Sequence, residues 1–373
     1  MNLNEALLLI RGSVRGLKAY HLEPEECSIK LNQNENPFDW PGDIKEEMGR
    51  FCVQRPWNRY PPFIPDALKN SLAEYVGTAK SSIIVGNGSN EMLLVLLLSF
   101  AEKGSPVIIC QPTFTIYRLL IDGLGATAVP VSLNPALQYD LAAICAAIAS
   151  HPGALLVLSS PNNPTGCALN ERSLREILRQ HSGFCVLDQA YVEFGGFDAM
   201  PLLREFPNLI ITRTFSKAFA GAALRLGYLV GNPAVINEIN KIKLPYNLNF
   251  FSEHAASMLL RHGDLLRKRI ALIKVERDVQ YAFLRTIPFD AVYPSEANFI
   301  LVRYRKKSLL VDALKERGIL VRDVSSYPLL DNCLRIGIGT PDENELLRTT
   351  LRSFFSDHEE TKDEKNRPYQ PYH

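Results

Sequence analysis

The sequence predicts an α/β protein with a central, mostly parallel sheet that is buried on both faces. Five short apolar runs support this prediction, at residues 82–85, 107–109, 154–158, 184–187 and 209–211. Each run is continuous and bounded by turn residues, which is typical of strands covered by helices on both sides. Helical stretches such as 66–75 and 170–179 lie between most of the runs, and this order favours parallel strands.

The length of 373 residues allows one large domain and a smaller second one. After residue 228 the pattern is helical, roughly over 233–287 with a break at 245–247. A smaller unit follows, with strands predicted at 299–302, 319–321 and 334–338 and a helix at 309–317. We predict a large domain at 46–284, a small α/β domain formed by 1–45 and 285–355, and a polar C-terminal tail at 356–373.

The composition excludes several classes of function. Hydrophobic residues make up 46% and charged residues 22% of the chain, and a net charge of +1 argues against a general binder of nucleic acid or membrane surfaces. The apolar stretch 92–101 is too short to span a membrane, and the N-terminus lacks the features of a secretion signal. The seven cysteines form no C-x-x-C motif and no metal motif is present. We therefore expect reduced thiols, no metal and a cytoplasmic location.

Polar motifs follow the predicted strands directly. They occupy the segments 86–91, 111–117, 159–166, 188–191 and 212–217. Ligands of open parallel sheets bind outside the carboxyl ends of the strands. We therefore expect these motifs to gather along one edge of the sheet, although they are far apart in the sequence.

The segment 208–228 contains a lysine, Lys217, among small residues that let a flat ligand approach the backbone. Thr214, Ser216 and Arg225 lie around it and suit a phosphate group. A single lysine is usually a solvated surface charge, so the functional reading depends on the rest of the chain. A lysine amine beside a phosphate cup is what pyridoxal 5'-phosphate (PLP) requires, because the amine forms a Schiff base with the aldehyde.

Other strand-end residues complete such a site. Asp188 follows an apolar run and is either a turn aspartate or the partner of a pyridinium nitrogen, which it would keep protonated. Tyr191 and Asn163 could hydrogen-bond the phenolic oxygen O3' of PLP. Phe114 could stack on the ring, although a core phenylalanine is the commoner explanation. The phosphate cup would combine the backbone at Ser89 and Asn90, where a glycine turn opens a helix, with the three residues around the lysine.

Two arginines lie in the predicted small domain. Arg322 follows the apolar run 319–321, and Arg335 lies inside the predicted strand 334–338. Each is either part of an ordinary ion pair or a binding group for an anionic substrate. A charge-assisted hydrogen bond contributes about 1.5–3 kcal/mol, so two of them would influence substrate choice.

These motifs together resemble a known family. The segments NENP, NRYP, PNNPTG, DQAY, RTFSKAFAGAALRLGY and LRIGIGT occur in this order. Their order and spacing are similar to those of the PLP-dependent fold-type I aminotransferases and, within them, the histidinol-phosphate aminotransferases. The resemblance extends from about residue 10 to 355. It implies a large domain with a mostly parallel sheet, a smaller α/β domain, and PLP as cofactor.

The resemblance also implies roles for matching residues. Lys217 would hold the cofactor and move a proton between the substrate Cα and the cofactor C4'. Tyr60 would reach the active site of the partner subunit in a homodimer. Arg335 and Arg322, helped by Tyr20 and Asn34, would hold the substrate's phosphate or carboxylate. Gln189 stands where many relatives have glutamate and Ala223 where glycine is usual, and we expect these departures to change packing, not chemistry.

The implied reaction is amino transfer from L-histidinol phosphate to 2-oxoglutarate, a step of histidine biosynthesis. Two other activities remain open on the same fold. A threonine-phosphate decarboxylase would keep the lysine, the aspartate and the phosphate-binding groups. An aromatic amino-acid aminotransferase would need no substrate phosphate. A regulatory reuse of the fold is disfavoured because Lys217, Asp188 and Arg225 are all present and no DNA-binding segment is attached.

Overall fold

The structure is a computed structural model that describes residues 1–18 and 27–358. The α-helices of these residues are Leu3–Leu8 (α1), Gly12–Arg15 (α2), Gly42–Gln54 (α3), Asp66–Val76 (α4), Gly88–Phe100 (α5), Thr115–Leu124 (α6), Leu141–Ser150 (α7), Glu171–Gln180 (α8), Pro233–Ile239 (α9), Phe250–Arg261 (α10), Gly263–Leu284 (α11), Lys307–Glu316 (α12) and Pro341–Asp357 (α13). Short 3-10 turns occur at Lys80–Ser82, Val192–Phe194, Met200–Arg204 and Ala222–Leu224.

The strands are Ile29–Lys30 (β1), Ile83–Gly86 (β2), Pro106–Gln111 (β3), Thr127–Ser132 (β4), Leu155–Ser159 (β5), Cys185–Asp188 (β6), Leu209–Thr214 (β7), Gly227–Val230 (β8), Ala291–Tyr293 (β9), Phe299–Arg303 (β10), Ile319–Leu320 (β11), Arg322–Asp323 (β12) and Cys333–Gly337 (β13). They form a seven-stranded sheet, a four-stranded sheet and a two-stranded sheet.

The seven-stranded sheet has the order β2-β8-β7-β6-β5-β3-β4. Strand β8 is antiparallel to both of its neighbours, and the remaining pairs are parallel. The five predicted apolar runs are confirmed as β2, β3, β5, β6 and β7. The sequence reading missed β4, which contains Pro130 and has mostly partly exposed residues, and β8, which follows the lysine segment closely. The predicted α/β class with a mostly parallel central sheet is confirmed.

Both faces of this sheet are buried, and successive strand residues pack on opposite sides. In β3, Val107 and Ile109 belong to one apolar cluster, whereas Ile108 belongs to another. In β5, Leu155 and Leu156 separate in the same way. This alternation follows from the two-residue period of a strand. It explains why these runs are apolar at every position.

The polar residues after Ile211 were expected to start a loop, and this expectation is wrong. Strand β7 continues through Thr212, Arg213 and Thr214, which are all buried. Two of these residues have hydrogen-bond partners within the fold, because Arg213 donates to Gln189 and Asp198 and Thr214 donates to the carbonyl oxygen of Leu226. Buried partners therefore allow a polar strand end inside the sheet. Asp188 likewise lies in β6 instead of directly after it.

The four-stranded sheet has the order β12-β13-β10-β9 and is antiparallel. Strand β1, near the N-terminus, pairs with β11 in parallel. The run 319–321 was predicted as one strand, and its first two residues form β11, whereas β12 begins just after the run. The proposed domain boundaries at 45/46 and 284/285 remain a prediction. Helix α13 reaches Asp357, past the predicted start of the tail at 356, and residues 359–373 lie outside the described part of the chain.

Some of the helices begin where the sequence supplies a capping side chain. Asn170 accepts a hydrogen bond from the backbone of Ser173 at the start of α8. Thr340 and Glu343 form a capping box at the start of α13, with Pro341 in the first turn. Within residues 1–18 and 27–358, no helix has the length and apolar character needed to cross a membrane.

Candidate functional site

A cavity of about 390 Å³ lies at the carboxyl ends of the central strands. Thirteen of the residues singled out in the sequence line it: Asn34, Ser89, Asn90, Phe114, Asn163, Asp188, Tyr191, Thr214, Ser216, Lys217, Arg225, Arg322 and Arg335. They come from segments spread over about 300 residues of the chain. The central sheet brings the residues of the strand-end motifs together because β2, β3, β5, β6 and β7 all end at this edge.

Lys217 follows β7 directly and reaches into the cavity. Its Nζ donates a hydrogen bond to the backbone carbonyl oxygen of Gln33 at 2.9 Å. Burial, and secondarily the positive charges of Arg335 and Arg225, lower the pKa of Lys217 to about 7. Much of the amine is therefore neutral near pH 7, which is the form that attacks a carbonyl carbon.

A positively polarised cup lies beside the lysine. The N-terminus of α5 contributes the backbone N–H groups of Ser89 and Asn90. Arg225 donates to the Ser216 hydroxyl at 3.4 Å and to the carbonyl oxygen of Ala222 at 3.0 Å. A helix N-terminus and a guanidinium group together bind anions well.

Gly227 allows this cup to close. A Cβ atom at Gly227 would lie 2.3 Å from the backbone nitrogen of Ser89 and 2.4 Å from the carbonyl carbon of Gly88. Strand β8 and the start of α5 can therefore approach so closely only with glycine at this position. Gly88 itself has a φ of +81°, in the left-handed region that favours glycine.

At another part of the cavity, Asp188 is 4% exposed and is held by two hydrogen bonds. The Tyr117 hydroxyl donates to it at 2.7 Å, and the backbone N–H of Ala190 donates at 3.1 Å. Burial raises the pKa of the Asp188 carboxyl, and the bond from Tyr117 opposes that rise. The Tyr117 bond thus favours the ionised carboxylate that a cationic ring nitrogen would need.

Tyr191 and Asn163 line the same cavity as Asp188 and the two arginines. The Tyr191 hydroxyl accepts a hydrogen bond from the Asn34 side chain at 3.1 Å. The Asn163 side-chain oxygen accepts one from Arg335. Because the amide oxygen faces the arginine, the NH₂ group of Asn163 is left to donate elsewhere.

The two arginines lie opposite each other on paired strands. Arg322 follows the run 319–321 as predicted, and it is also the first residue of β12, where it is the register partner of Arg335 on β13. Arg335 also donates to the backbone carbonyl oxygen of Asn32 at 2.7 Å. Two guanidinium groups lining one cavity favour an anionic ligand.

Two predicted residues do not join this group. Tyr60 is 82% exposed and stacks on Tyr246 with ring centroids 4.7 Å apart, away from the cavity of its own chain. Tyr20 lies outside the described residues. The two departures from the family pattern, Gln189 and Ala223, do not line the cavity.

The sequence reading missed three contributors to the site. Tyr117 lies one helical turn after Phe114, and a hydroxyl in the first turn after a strand end was the available signal. Asn32 and Gln33 contribute backbone carbonyl oxygens, which residue type does not reveal. Only the folded chain identifies those acceptors.

Comparison with known proteins assigns this arrangement to a family. The model of the family described as aminotransferase class I and II matches residues 27–351. The histidinol-phosphate aminotransferase of Prosthecochloris aestuarii is 39% identical over 345 residues, which is 92% of this chain and 97% of that protein. The enzyme of the same name from Thermoanaerobacter pseudethanolicus is 36% identical over 344 residues, covering 92% and 98%.

Solved structures agree with this assignment. The histidinol-phosphate aminotransferase of Sinorhizobium meliloti, in complex with pyridoxal-5'-phosphate, has a TM-score of 0.83 and 25% identity, covering 93% of this chain and 98% of that one. The L-threonine-O-3-phosphate decarboxylase of Porphyromonas gingivalis has a TM-score of 0.73 and 22% identity, covering 88% and 99%, and that likeness concerns the fold alone.

The chain belongs to the class I and II aminotransferases, and it is an enzyme of that class. Its curated relatives place it among the histidinol-phosphate aminotransferases.

Proposed function

We propose that this protein transfers the amino group of L-histidinol phosphate to 2-oxoglutarate with PLP as cofactor. The products are 3-(imidazol-4-yl)-2-oxopropyl phosphate and L-glutamate, and the reaction is a step of histidine biosynthesis. The observation that carries the proposal is the position of Lys217, whose pKa is lowered to about 7, in one cavity with an anion cup, a buried carboxylate and two arginines.

The residues of the cavity fit the groups of PLP one by one. The cup formed by Ser89, Asn90 and Arg225 suits the 5'-phosphate, and Gly227 permits the close approach of β8 to the start of α5 that forms it. The ionised carboxylate of Asp188 suits the ring nitrogen. Tyr191, with Asn163 beside it, suits the phenolic oxygen.

Thr214, Ser216 and Phe114 complete the proposed cofactor site. The two hydroxyls lie at the end of β7, next to the cup. Phe114 lies at the start of α6 and lines the same cavity, where its ring can cover the cofactor ring.

PLP supplies an electron-withdrawing ring that stabilises negative charge at the substrate Cα. The chain supplies the remaining steps. The neutral amine of Lys217 would hold PLP through its aldehyde group and, once the substrate amine has taken its place, would accept the proton from the substrate Cα. Asp188 would keep the ring nitrogen protonated. A positioned acid or base typically contributes about 10²–10⁴-fold in rate.

The two arginines explain how both substrates can use one site. L-Histidinol phosphate carries a phosphate group, and 2-oxoglutarate and glutamate carry carboxylates. Arg335 and Arg322 present planar donors that can bind either kind of anion. Asn34 and, from the N-terminal segment, Tyr20 are proposed to assist them.

We further propose a cytoplasmic homodimer. Tyr60 is exposed with neighbouring exposed aromatic groups, Trp57 and Phe63, and it is proposed to reach the active site of the partner subunit. Such a patch of exposed rings supports a protein–protein contact.

The test is an absorbance cycle on purified protein loaded with PLP. L-Histidinol phosphate alone should abolish the visible band of enzyme-bound PLP, and 2-oxoglutarate should restore it while glutamate accumulates. Phenylalanine serves as the comparison donor, because it lacks a phosphate. An equal response to phenylalanine would favour the aromatic aminotransferase.

The decarboxylase is separated in the same assay by its gaseous product. If threonine phosphate changes the spectrum and releases carbon dioxide, while L-histidinol phosphate does neither, the proposed transamination is wrong.

A further inference from the structure

A short segment of the chain, residues 32–35, contacts three groups of the proposed site and is called the site strip here. The carbonyl oxygen of Asn32 accepts from Arg335 at 2.7 Å, and that of Gln33 accepts from Lys217 at 2.9 Å. The side chain of Asn34 donates to the Tyr191 hydroxyl at 3.1 Å. A shift of the strip would therefore disturb an arginine, the lysine and a tyrosine together.

The middle of the site strip adopts a backbone conformation that needs support. Asn34 has a φ of +54°, in the left-handed region that is sparsely populated by residues other than glycine. It is also buried, with 2% of its surface exposed. The surrounding structure must hold such a residue in place, since its own backbone preference does not.

Asn298 supplies that support from behind the site strip. It is fully buried, and its side-chain NH₂ donates to the carbonyl oxygens of Asn34 at 3.2 Å and Glu35 at 3.4 Å. Its own backbone carbonyl oxygen accepts from Ile338 at 2.9 Å. The residue thus connects the site strip to the end of β13, the strand that carries Arg335.

The role of Asn298 depends on its donor group. Its side-chain oxygen has no hydrogen-bond partner within the described part of the chain. The side chain therefore acts through the two hydrogen bonds that its NH₂ group donates. Both go to the site strip at the position of the left-handed residue. Neighbouring anchors lie at the two ends of the strip, where Leu31 accepts from Gly337 and Asn36 donates to Ala218.

We infer that Asn298 is a positioning residue for substrate binding, which acts by holding the site strip so that Asn34, Lys217 and Arg335 keep their places. The inference rests on the proposed function for the identity of the substrate, but the geometry of the strip does not depend on it. The phosphate cup lies on other segments, at Ser89 and Arg225. Loss of Asn298 should therefore weaken substrate binding more than cofactor binding, because the phosphate cup keeps its place.

The test compares Asn298→Ala with Asn344→Ala. Asn344 is also fully buried near the end of β13, and it hydrogen-bonds Gly339 and Glu276, with no contact to the cavity. Both variants lose a buried amide, so general destabilisation should be similar. Amide hydrogen exchange of the peptide containing residues 31–36 reports on the site strip in full-length protein with and without PLP, independently of activity.

For Asn298→Ala we expect faster exchange of that peptide and a KM for L-histidinol phosphate raised about tenfold, with smaller changes, below about threefold, in kcat and in the Kd for PLP. Asn344→Ala should leave all four close to wild type. Unchanged hydrogen exchange of this peptide in Asn298→Ala would overturn the inference. An equal rise of exchange and of KM in both variants would also overturn it.

A more conservative variant keeps the inference testable if Asn298→Ala does not fold. Asn298→Ser keeps a polar group but is too short to reach both carbonyl oxygens, so it should shift exchange and KM in the same direction. If both Asn298 variants fail to fold while Asn344→Ala folds, the residue serves the fold and the positioning role is rejected. If the wild-type protein does not act on L-histidinol phosphate, the proposed function fails, and the exchange measurement still decides the role of Asn298.

Discussion

The cavity has two walls whose side chains are held in different ways. On the strand-end wall, formed by Ser89, Asp188, Thr214 and Lys217, each residue lies within three positions of a strand of the seven-stranded sheet. The paired backbone of the sheet fixes where each side chain begins. A substitution here should remove one chemical group and leave the geometry of the others in place.

The arginine wall, formed by Arg322, Arg335 and residues 32–35, is held by side-chain contacts between distant segments. Arg335 bonds to residues 172 and 303 positions away in the sequence. Because these contacts join separate parts of the chain, one change should alter several distances together. The difference teaches that the strand-end wall depends on the central sheet, whereas the arginine wall also depends on hydrogen bonds between distant segments.

The largest expected effect belongs to Lys217→Ala on the strand-end wall. Turnover should fall by at least about 10⁴-fold, since both the attacking amine and the base at Cα are lost. Steady-state assay of glutamate formation measures this fall. Lys241→Ala, at an exposed lysine paired with Glu238, is the matched control. Substantial residual turnover in Lys217→Ala would move the chemistry away from this residue.

The next effect concerns Tyr117→Phe, which removes the hydroxyl bonded to Asp188. The pKa of Asp188, already raised by burial, should rise further, so less of the carboxylate is ionised to hold the ring nitrogen. Losing a hydrogen bond to a charged group costs about 1.5–3 kcal/mol, which corresponds to roughly 10–100-fold weaker PLP binding. Equilibrium dialysis measures that change.

Tyr139→Phe is the control for Tyr117→Phe. Tyr139 is a partly buried tyrosine near the sheet, and its hydroxyl donates to the carbonyl oxygen of Ser159 instead of to Asp188. Equal PLP affinity of wild type and Tyr117→Phe would show that the Asp188 carboxylate needs no such donor.

A smaller effect is expected on the arginine wall from Arg322→Ala. This arginine is only partly buried, so we expect the KM for L-histidinol phosphate to rise about tenfold while the Kd for PLP stays constant. Comparison of KM with phenylalanine as donor shows whether the loss concerns the phosphate. Arg317→Ala, at an exposed arginine after α12, should match wild type. A parallel loss of PLP affinity would mean that the two walls are not independent.

The smallest effect is the pH dependence of cofactor capture. The pKa of Lys217 is lowered to about 7, so the neutral amine is scarce below that pH and dominant above it. The rate of PLP binding to cofactor-free protein should rise through this range, by about twofold between pH 7 and pH 8, and then level off. Stopped-flow absorbance follows the reaction. A rise centred near pH 10 would indicate a solvated lysine.

Linkage gives the sign of the effect of Lys217 on stability. A lysine whose folded pKa lies below its unfolded value makes the unfolded state bind more protons, so the cofactor-free protein gains stability as pH rises from about 7 toward the unfolded pKa near 10.4. This gain should be absent in Lys217→Met.

The sequence by itself determined the α/β class, the five apolar strands and the strand-end wall. These features depend on local patterns. An apolar run followed by a polar motif places that motif at the sheet edge, independently of distant segments of the chain. Asp188, Asn163 and Lys217 could be chosen for this reason. Arg322 and Arg335 could be selected as charged residues near predicted strands of the small domain. Their pairing opposite each other could not be predicted from the sequence.

Only the tertiary structure decided which backbone groups enter the site and how β7 accommodates its polar end. The carbonyl oxygens of Asn32 and Gln33 have no residue-type signal, and Arg213 is tolerated in β7 because Gln189 and Asp198 lie within reach after folding. Tyr117 acquires its role only because α6 brings its hydroxyl to Asp188. Contacts between distant segments carry no local periodicity, and the packed chain alone selects them.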